Sequence, residues 1–140
     1  MTLAAALLAA AILAFGLWVR LAPSDPAVWH VAPVATGPWD VVQPLTNGAT
    51  LRLSATKGAP DALLARLDAV AMASPRTARL AGSVAEGRIT WVTRSALWGF
   101  PDYTTAEQRP DGLYIQARQR FGNDDWGVNT ARLRDWLARL

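Results

Sequence analysis

Arg94 and Ser95 stand side by side, Asp102 follows a few residues on, and Arg118, Arg120, Asp125 and Asn129 crowd the stretch before the last apolar run. Guanidinium groups offer paired donors in a fixed plane, which suits carboxylates and phosphates. The chemistry these seven residues suggest is therefore recognition of an anion, and together they form the candidate ligand-binding set. A small hydrolase is the alternative, with Ser95 as nucleophile or Asp102 and Asp125 as paired carboxylates. A serine nucleophile needs a base and an oxyanion hole. The single histidine, His30, lies far from Ser95 in the sequence, and no Gly-x-Ser-x-Gly elbow, HExxH, P-loop or dinucleotide fingerprint occurs. No catalytic residue is assigned on this reading, and no cofactor is expected. Metal binding is not expected either, because His30 has no second histidine or cysteine to complete a ligand set. The segment "RFGNDDWGVN" lacks alternating calcium ligands and places Arg134 where an acid would be wanted.

The elements that must position these groups fit in one chain of 140 residues with 14 basic and 11 acidic side chains, 13 of the bases being arginine. A charged fraction of 18% and a hydrophobic fraction of 51% are too apolar for disorder and, beyond the leader, too polar for several membrane spans. The absence of cysteine excludes a disulfide, a thiol nucleophile and a lipoprotein anchor. Residues 2–19 carry no charge and would span roughly 27 Å as a helix. Trp18 and Arg20 close the segment with residue types that favour a membrane interface. An uncleaved anchor over residues 1–21 is expected; a cleaved signal peptide competes, although it normally has a basic start and a small-x-small site. Residues 22–45 hold five prolines with Trp29 and Trp39 between them, a composition that reads as an extended linker lying on the domain.

Residues 46–140 read as α+β. "GATLRLSAT" alternates as a half-buried strand, and "PDALLARLDAVAMAS" places Leu63, Leu64, Leu67, Val70 and Ala71 on one helical face. "TARLAGSVAEGRITWVTRS" predicts a hairpin turning on Glu86-Gly87, and "RPDG" predicts a second between "FPDYTTAEQ" and "LYIQARQRF". A closing helix carries Leu133, Trp136, Leu137 and Leu140 as its docking stripe. The expected order is β-α-β-β-β-β-α, an antiparallel sheet of about five strands with two helices on one face.

A two-residue turn at Glu86-Gly87 would put Val84 opposite Ile89, Gly82 opposite Trp91 and Arg79 opposite Arg94, with Arg88 further along that face. A four-residue "RPDG" turn would set Tyr103 across from Arg118, within reach of a cation–π contact. Arg118 and Arg120 share one face of their strand. Glu107, Asp102 and the Asp124-Asp125 pair are the candidate partners for this positive charge, so internal ion pairs compete with an outside anion. At the final corner Asn129 stands where an N-cap belongs, and Gly122 and Gly127 permit the turn.

The stretches "RSALWGFPDYTT" and "RQRFGNDDWGVNTARLRDWL" resemble the two signature segments of the bacterial and plastid domain-of-unknown-function family numbered 1499 (DUF1499). That family shows an Arg-Ser pair, then Phe-x-Asp-Asp, then an arginine-rich strand running into Gly-x-Ser-Asp-x-Gly-Val-Asn-x-x-Arg. The resemblance covers about residues 45 to 140 and points to Arg94, Ser95, Phe100, Asp102, Arg120, Gly122, Asp125, Gly127, Asn129 and Arg132. Tyr103 and Asp124 depart from the pattern, where the family has Asp and Ser. The resemblance implies membrane or envelope association and brings no accepted activity. The resulting expectation is a single-pass protein of a bacterial inner membrane, with its domain facing the periplasm. Its role would be a non-enzymatic binding or structural module whose partners are the membrane and an anionic lipid, ligand or envelope protein. Nucleic acid is not expected beside a membrane tether.

Overall fold

The computed structural model describes residues 2–140 and begins with one long apolar helix, α1 (Leu3–Leu21). Thr2 accepts the Ala5 amide at its start, and Arg20 lies in the last turn. The linker contains one helical turn, α2 (Pro26–Trp29), opened by the Asp25 carboxylate accepting the Ala27 amide. Then follow β1 (Gln43–Leu45), β2 (Gly48–Ser54), α3 (Pro60–Met72), β3 (Thr77–Ser83), β4 (Arg88–Arg94), β5 (Pro101–Arg109), β6 (Gly112–Gln119) and α4 (Val128–Ala138).

The domain is α+β, as its periodicities require, but the sheet has six strands, in the order β1-β2-β6-β5-β4-β3, every pairing antiparallel. The additional strand is β1. It lies in the proline-rich segment read as linker, and at three residues on a sheet edge it is too short to show a period. Helices α3 and α4 cover one face. Leu51, Leu53, Ile89, Trp91, Leu113 and Ile115 rise from the strands against Leu63, Leu64 and Leu67 of α3 and Leu133 and Trp136 of α4, all of them buried. The Trp91 and Trp136 rings meet edge to face at 5.8 Å, which fixes α4 over the sheet.

The other face is covered too, and by the linker. Trp29 stacks on Tyr103 at 4.0 Å, Ser24 and Tyr103 share a hydrogen bond of 2.6 Å, and Trp39 meets Tyr114 edge-on at 5.7 Å. This coverage explains why strand alternation fails in the middle of the sheet. Thr90 and Thr105 point toward the linker yet are fully buried, hydrogen-bonded to each other at 2.8 Å. His30 Nδ1 bonds Thr90 Oγ1 at 2.9 Å, and the Thr105 hydroxyl donates to the Trp29 carbonyl.

The second hairpin has the expected register, with Tyr103 opposite Arg118. The first does not. Its loop is four residues, closing at Ser83 and Arg88, and a bulge at Leu80 shifts the register again. Gly82 therefore faces Ile89, and Arg79 faces Trp91 rather than Arg94. Arg79 thus emerges on the helix side and pairs with Asp68 of α3, which also accepts the Trp91 indole N–H at 2.9 Å. Gly87 does take the left-handed conformation required at the turn, with φ of 77°.

Candidate functional site

The final corner brings α4 onto the end of β5. Asp125 Oδ1 accepts the Gly127 amide at 3.0 Å and its Oδ2 accepts the Asn129 amide at 2.9 Å, so Asp125 is the residue that satisfies the first amides of α4. Gly127, at φ of 79°, occupies the N-cap position. Asn129 is consequently inside the helix instead of capping it, and its fully buried side chain is free for other contacts.

Those contacts form a triangle. Asn129 Nδ2 donates to Asp102 Oδ2 at 3.2 Å, Arg132 Nη2 reaches the same oxygen at 3.3 Å, and Arg132 Nη1 donates to Asn129 Oδ1. Both Asp102 and Arg132 are largely removed from solvent, with side chains 15% and 13% exposed. Burial raises the Asp102 carboxyl above its ordinary range, and the Arg132 charge and the hydrogen bonds from Arg132 and Asn129 oppose the rise.

A cavity of about 310 Å³ opens beside this triangle. Phe100, Phe121, Trp126 and Val128 supply its apolar walls. Asp102, Asp124, Asp125 and Arg132 bring its charges, three carboxyl groups against one guanidinium, and Ser95 and Gln119 complete the polar lining. Gln119 Nε2 is buried here without a hydrogen-bond partner. Two features of the wall stand out. Trp126 holds a left-handed backbone, φ of 50°, while leaving 90% of its surface exposed, and Asp124 Oδ1 accepts its amide at 2.7 Å. A bulky side chain in that conformation costs on the order of 1–3 kcal/mol and persists only where its surroundings hold it. Phe100 and Phe121, in addition, reach past the cavity to α1, with ring centroids 6.2 Å from Phe15 and 5.3 Å from Trp18 respectively.

The seven residues expected to form one site divide between the two sides of the sheet. Asp102, Asp125 and Asn129 belong to the helix side, and Ser95 lines the cavity at the rim, its Oγ accepting the Phe100 amide at 3.0 Å. Arg118 and Arg120 lie on the linker side and donate to the carbonyls of Trp29 and Pro23, each at 2.8 Å. The Arg118 guanidinium also sits 5.3 Å from the Trp29 ring, so Trp29 takes the cation–π position expected of Tyr103. Arg94 closes the β4–β5 loop by donating to the Gly99 carbonyl at 2.9 Å. Arg109 and Arg52 repeat the pattern against the carbonyls of Pro33 and Gly37.

Of the expected carboxylate partners, Glu107 pairs with both Arg88 and Arg109, and Asp102 pairs with Arg132 rather than a sheet arginine. Among the described residues no group of three or more His, Cys, Asp or Glu side chains is placed to hold a metal ion.

Arg132 is named in the sequence by resemblance alone, although it stands one helical turn after Asn129 and so faces the same way. Gln119, Phe121 and Trp126 carry no local signal for the cavity, because the corner that gathers them depends on the left-handed turn at Trp126.

The arrangement defines an α+β domain with a rim cavity set against an apolar helix. The matching family is described as "Protein of unknown function (DUF1499)", over residues 22–140. The chain belongs to that family, and the match begins in the linker, more than twenty residues before the signature stretches suggest. No curated protein matches the chain, and no solved structure does.

Proposed function

We propose that the chain is a non-enzymatic binding module held at a membrane by α1, and that the rim cavity takes a lipid headgroup. The observation that carries this reading is the shared wall: Phe100 and Phe121 line the cavity and also pack against Phe15 and Trp18 of the helix long and apolar enough to cross a bilayer. A ligand in the cavity would then lie beside the end of that helix, at headgroup depth. An excess of carboxyl groups over guanidinium groups suits a headgroup that brings an ammonium, which aromatic faces attract as well. Anionic headgroups match this lining less well, and the arginines grouped for them by the sequence give donors to linker carbonyls. The proposed setting is the bacterial inner membrane with the domain in the periplasm.

Native mass spectrometry of the full chain in lipid nanodiscs tests the reading. Phosphatidylethanolamine should stay bound in preference to phosphatidylglycerol, and Phe121→Ala and Asp102→Asn should each reduce its retention. Equal retention of both lipids, or retention indifferent to both substitutions, would refute it.

One observation favours the hydrolase alternative: Ser95 and Asp102, a carboxyl raised by burial, line the same cavity. Against it, His30 is on the linker face bonded to Thr90, and both Asp125 oxygens cap α4. Hydrolysis of short acyl esters that disappears in Ser95→Ala would move the assignment to an enzyme.

A further inference from the structure

We propose that the β4–β5 loop, residues 95–100, is a second membrane contact, with Leu97 and Trp98 entering the same leaflet as the C-terminal end of α1. The inference rests on the reading of α1 as a membrane helix. Its origin is a single packing contact that fixes depth. Gly16 of α1 backs directly onto the Trp98 ring; a Cβ there would stand 3.3 Å from two of its carbons. Gly16 precedes the end of α1 at Leu21 by five residues, roughly 7.5 Å along a helix axis at about 1.5 Å per residue. The loop therefore runs alongside the last turn and a half of the helix. Whatever medium surrounds α1 at Gly16 surrounds Trp98 as well.

The side chains of the loop suit the lipid–water boundary, and the two ends of its backbone are bonded within the protein. Leu97 is 75% exposed and Trp98 37% exposed, although the domain has two covered sheet faces on which to bury them. The indole belongs to the residue types that settle at the lipid–water boundary. Each loop polar group satisfied within the protein lowers the cost of entering low dielectric, and a partly satisfied loop settles at the lipid–water boundary. Here the Ser95 amide donates to the Phe100 carbonyl at 2.9 Å and the Gly99 amide to the Ser95 carbonyl at 3.2 Å. The Phe100 amide goes to Ser95 Oγ, and the Gly99 carbonyl accepts from Arg94. The Leu97 carbonyl accepts Arg20 Nη2 at 2.8 Å, so the arginine at the end of α1 satisfies the loop and reaches toward the headgroups together. On the same rim Trp126 presents its exposed ring, which extends the apolar collar beyond the loop.

The chain has no cysteine, so one introduced thiol reports a single position. Full-length Leu97→Cys carrying an environment-sensitive nitrobenzoxadiazole dye is reconstituted into phosphatidylcholine vesicles, with and without lipids spin-labelled at a shallow acyl carbon. The comparison is Lys57→Cys, exposed at the opposite end of the strands. Blue-shifted emission and spin-label quenching at position 97, with water-like emission and no quenching at 57, are expected. Water-like emission at 97 from protein that stays in the vesicles through an alkaline wash would overturn the loop insertion and leave the anchor standing. Release of the protein by the wash would overturn both.

Discussion

Arg132 and Asp102 are a buried pair whose members depend on one another, because among the described residues each is the other's only salt-bridge partner and Asn129 is the remaining hydrogen-bond partner they share. Breaking a buried pair costs about 3–5 kcal/mol, mostly through the uncompensated partner. Arg132→Met should therefore lower the unfolding free energy of the detergent-solubilised chain by about 3 kcal/mol, the low end of that range. Adding Asp102→Asn should recover part of the loss, which denaturant titration of the three proteins measures. Acid titration separates two carboxyls of opposite sign. Burial pushes Glu107 up, but the hydrogen bonds and charges of Arg88 and Arg109 outweigh it and leave the group below its ordinary 4.5. Its contribution to stability is present above pH 4.5 and is lost as pH falls through the lowered value. Asp102, raised by burial, behaves in reverse: its contribution is present below 3.8 and is lost as pH rises through the raised value. Glu107→Gln should flatten the acid limb of a stability–pH curve, and Asp102→Asn should steepen it. The sequence made Asp102, Asp125 and Asn129 visible as polar residues near a corner. It did not show that Asp125 would cap α4 and so release Asn129, since that choice depends on whether Trp126 or Gly127 takes the left-handed turn, and both do.

At the scale of elements the linker is the part most changed by folding. Four arginines, Arg52, Arg109, Arg118 and Arg120, donate to carbonyls of Gly37, Pro33, Trp29 and Pro23, so the part of the linker that precedes β1 and joins no ladder is held by side chains reaching up from the sheet. Proline spacing and the two tryptophans made its contact with the domain legible. Its partners were not, because guanidinium groups were matched in advance to charged groups and found neutral carbonyls. Trp29→Ala should cost about 2 kcal/mol, below the range for a fully buried aromatic since Trp29 is only half-buried. It should also raise amide exchange across residues 24–35, with the α3 amides unchanged. His30 adds a pH term of its own. Burial first, then the Arg88 charge, lowers its pKa below 6.5, with Glu86 and Glu107 opposing. A histidine lowered on folding stabilises fully above pH 6.5 and loses that contribution as pH falls through the lowered value. Limited proteolysis of the linker should accelerate on that descent, and His30→Gln should remove the acceleration. The β3–β4 register shows the other limit of local reading. A Glu-Gly pair marks the turn, yet the bulge at Leu80 has no signature and decides which face Arg79 occupies.

Across the whole molecule the fold class and both core helices followed from residue period and the second hairpin from its Pro-Asp-Gly turn, and these are short-range features. Gly16 against Trp98 joins residues far apart in the chain, and nothing local in either stretch announces it. Gly16→Leu should push α1 away from the loop while leaving the sheet intact. Nuclear magnetic resonance shifts of the indole N–H groups would report it: Trp18 and Trp98 should move, and Trp91 and Trp136, buried between α4 and the sheet, should not.

The fastening of α1 to the domain has a mechanical corollary. An isolated span adapts to a bilayer that is too thin by leaning over, at small cost per ångström. This helix is clamped near its end by Gly16, Trp18 and Arg20, so on the proposal that α1 spans a membrane, leaning would tip the whole β-sheet and drive one rim of the domain into the lipid while lifting the other. On the proposed reading, lipid thickness would set the angle at which the cavity mouth meets the surface.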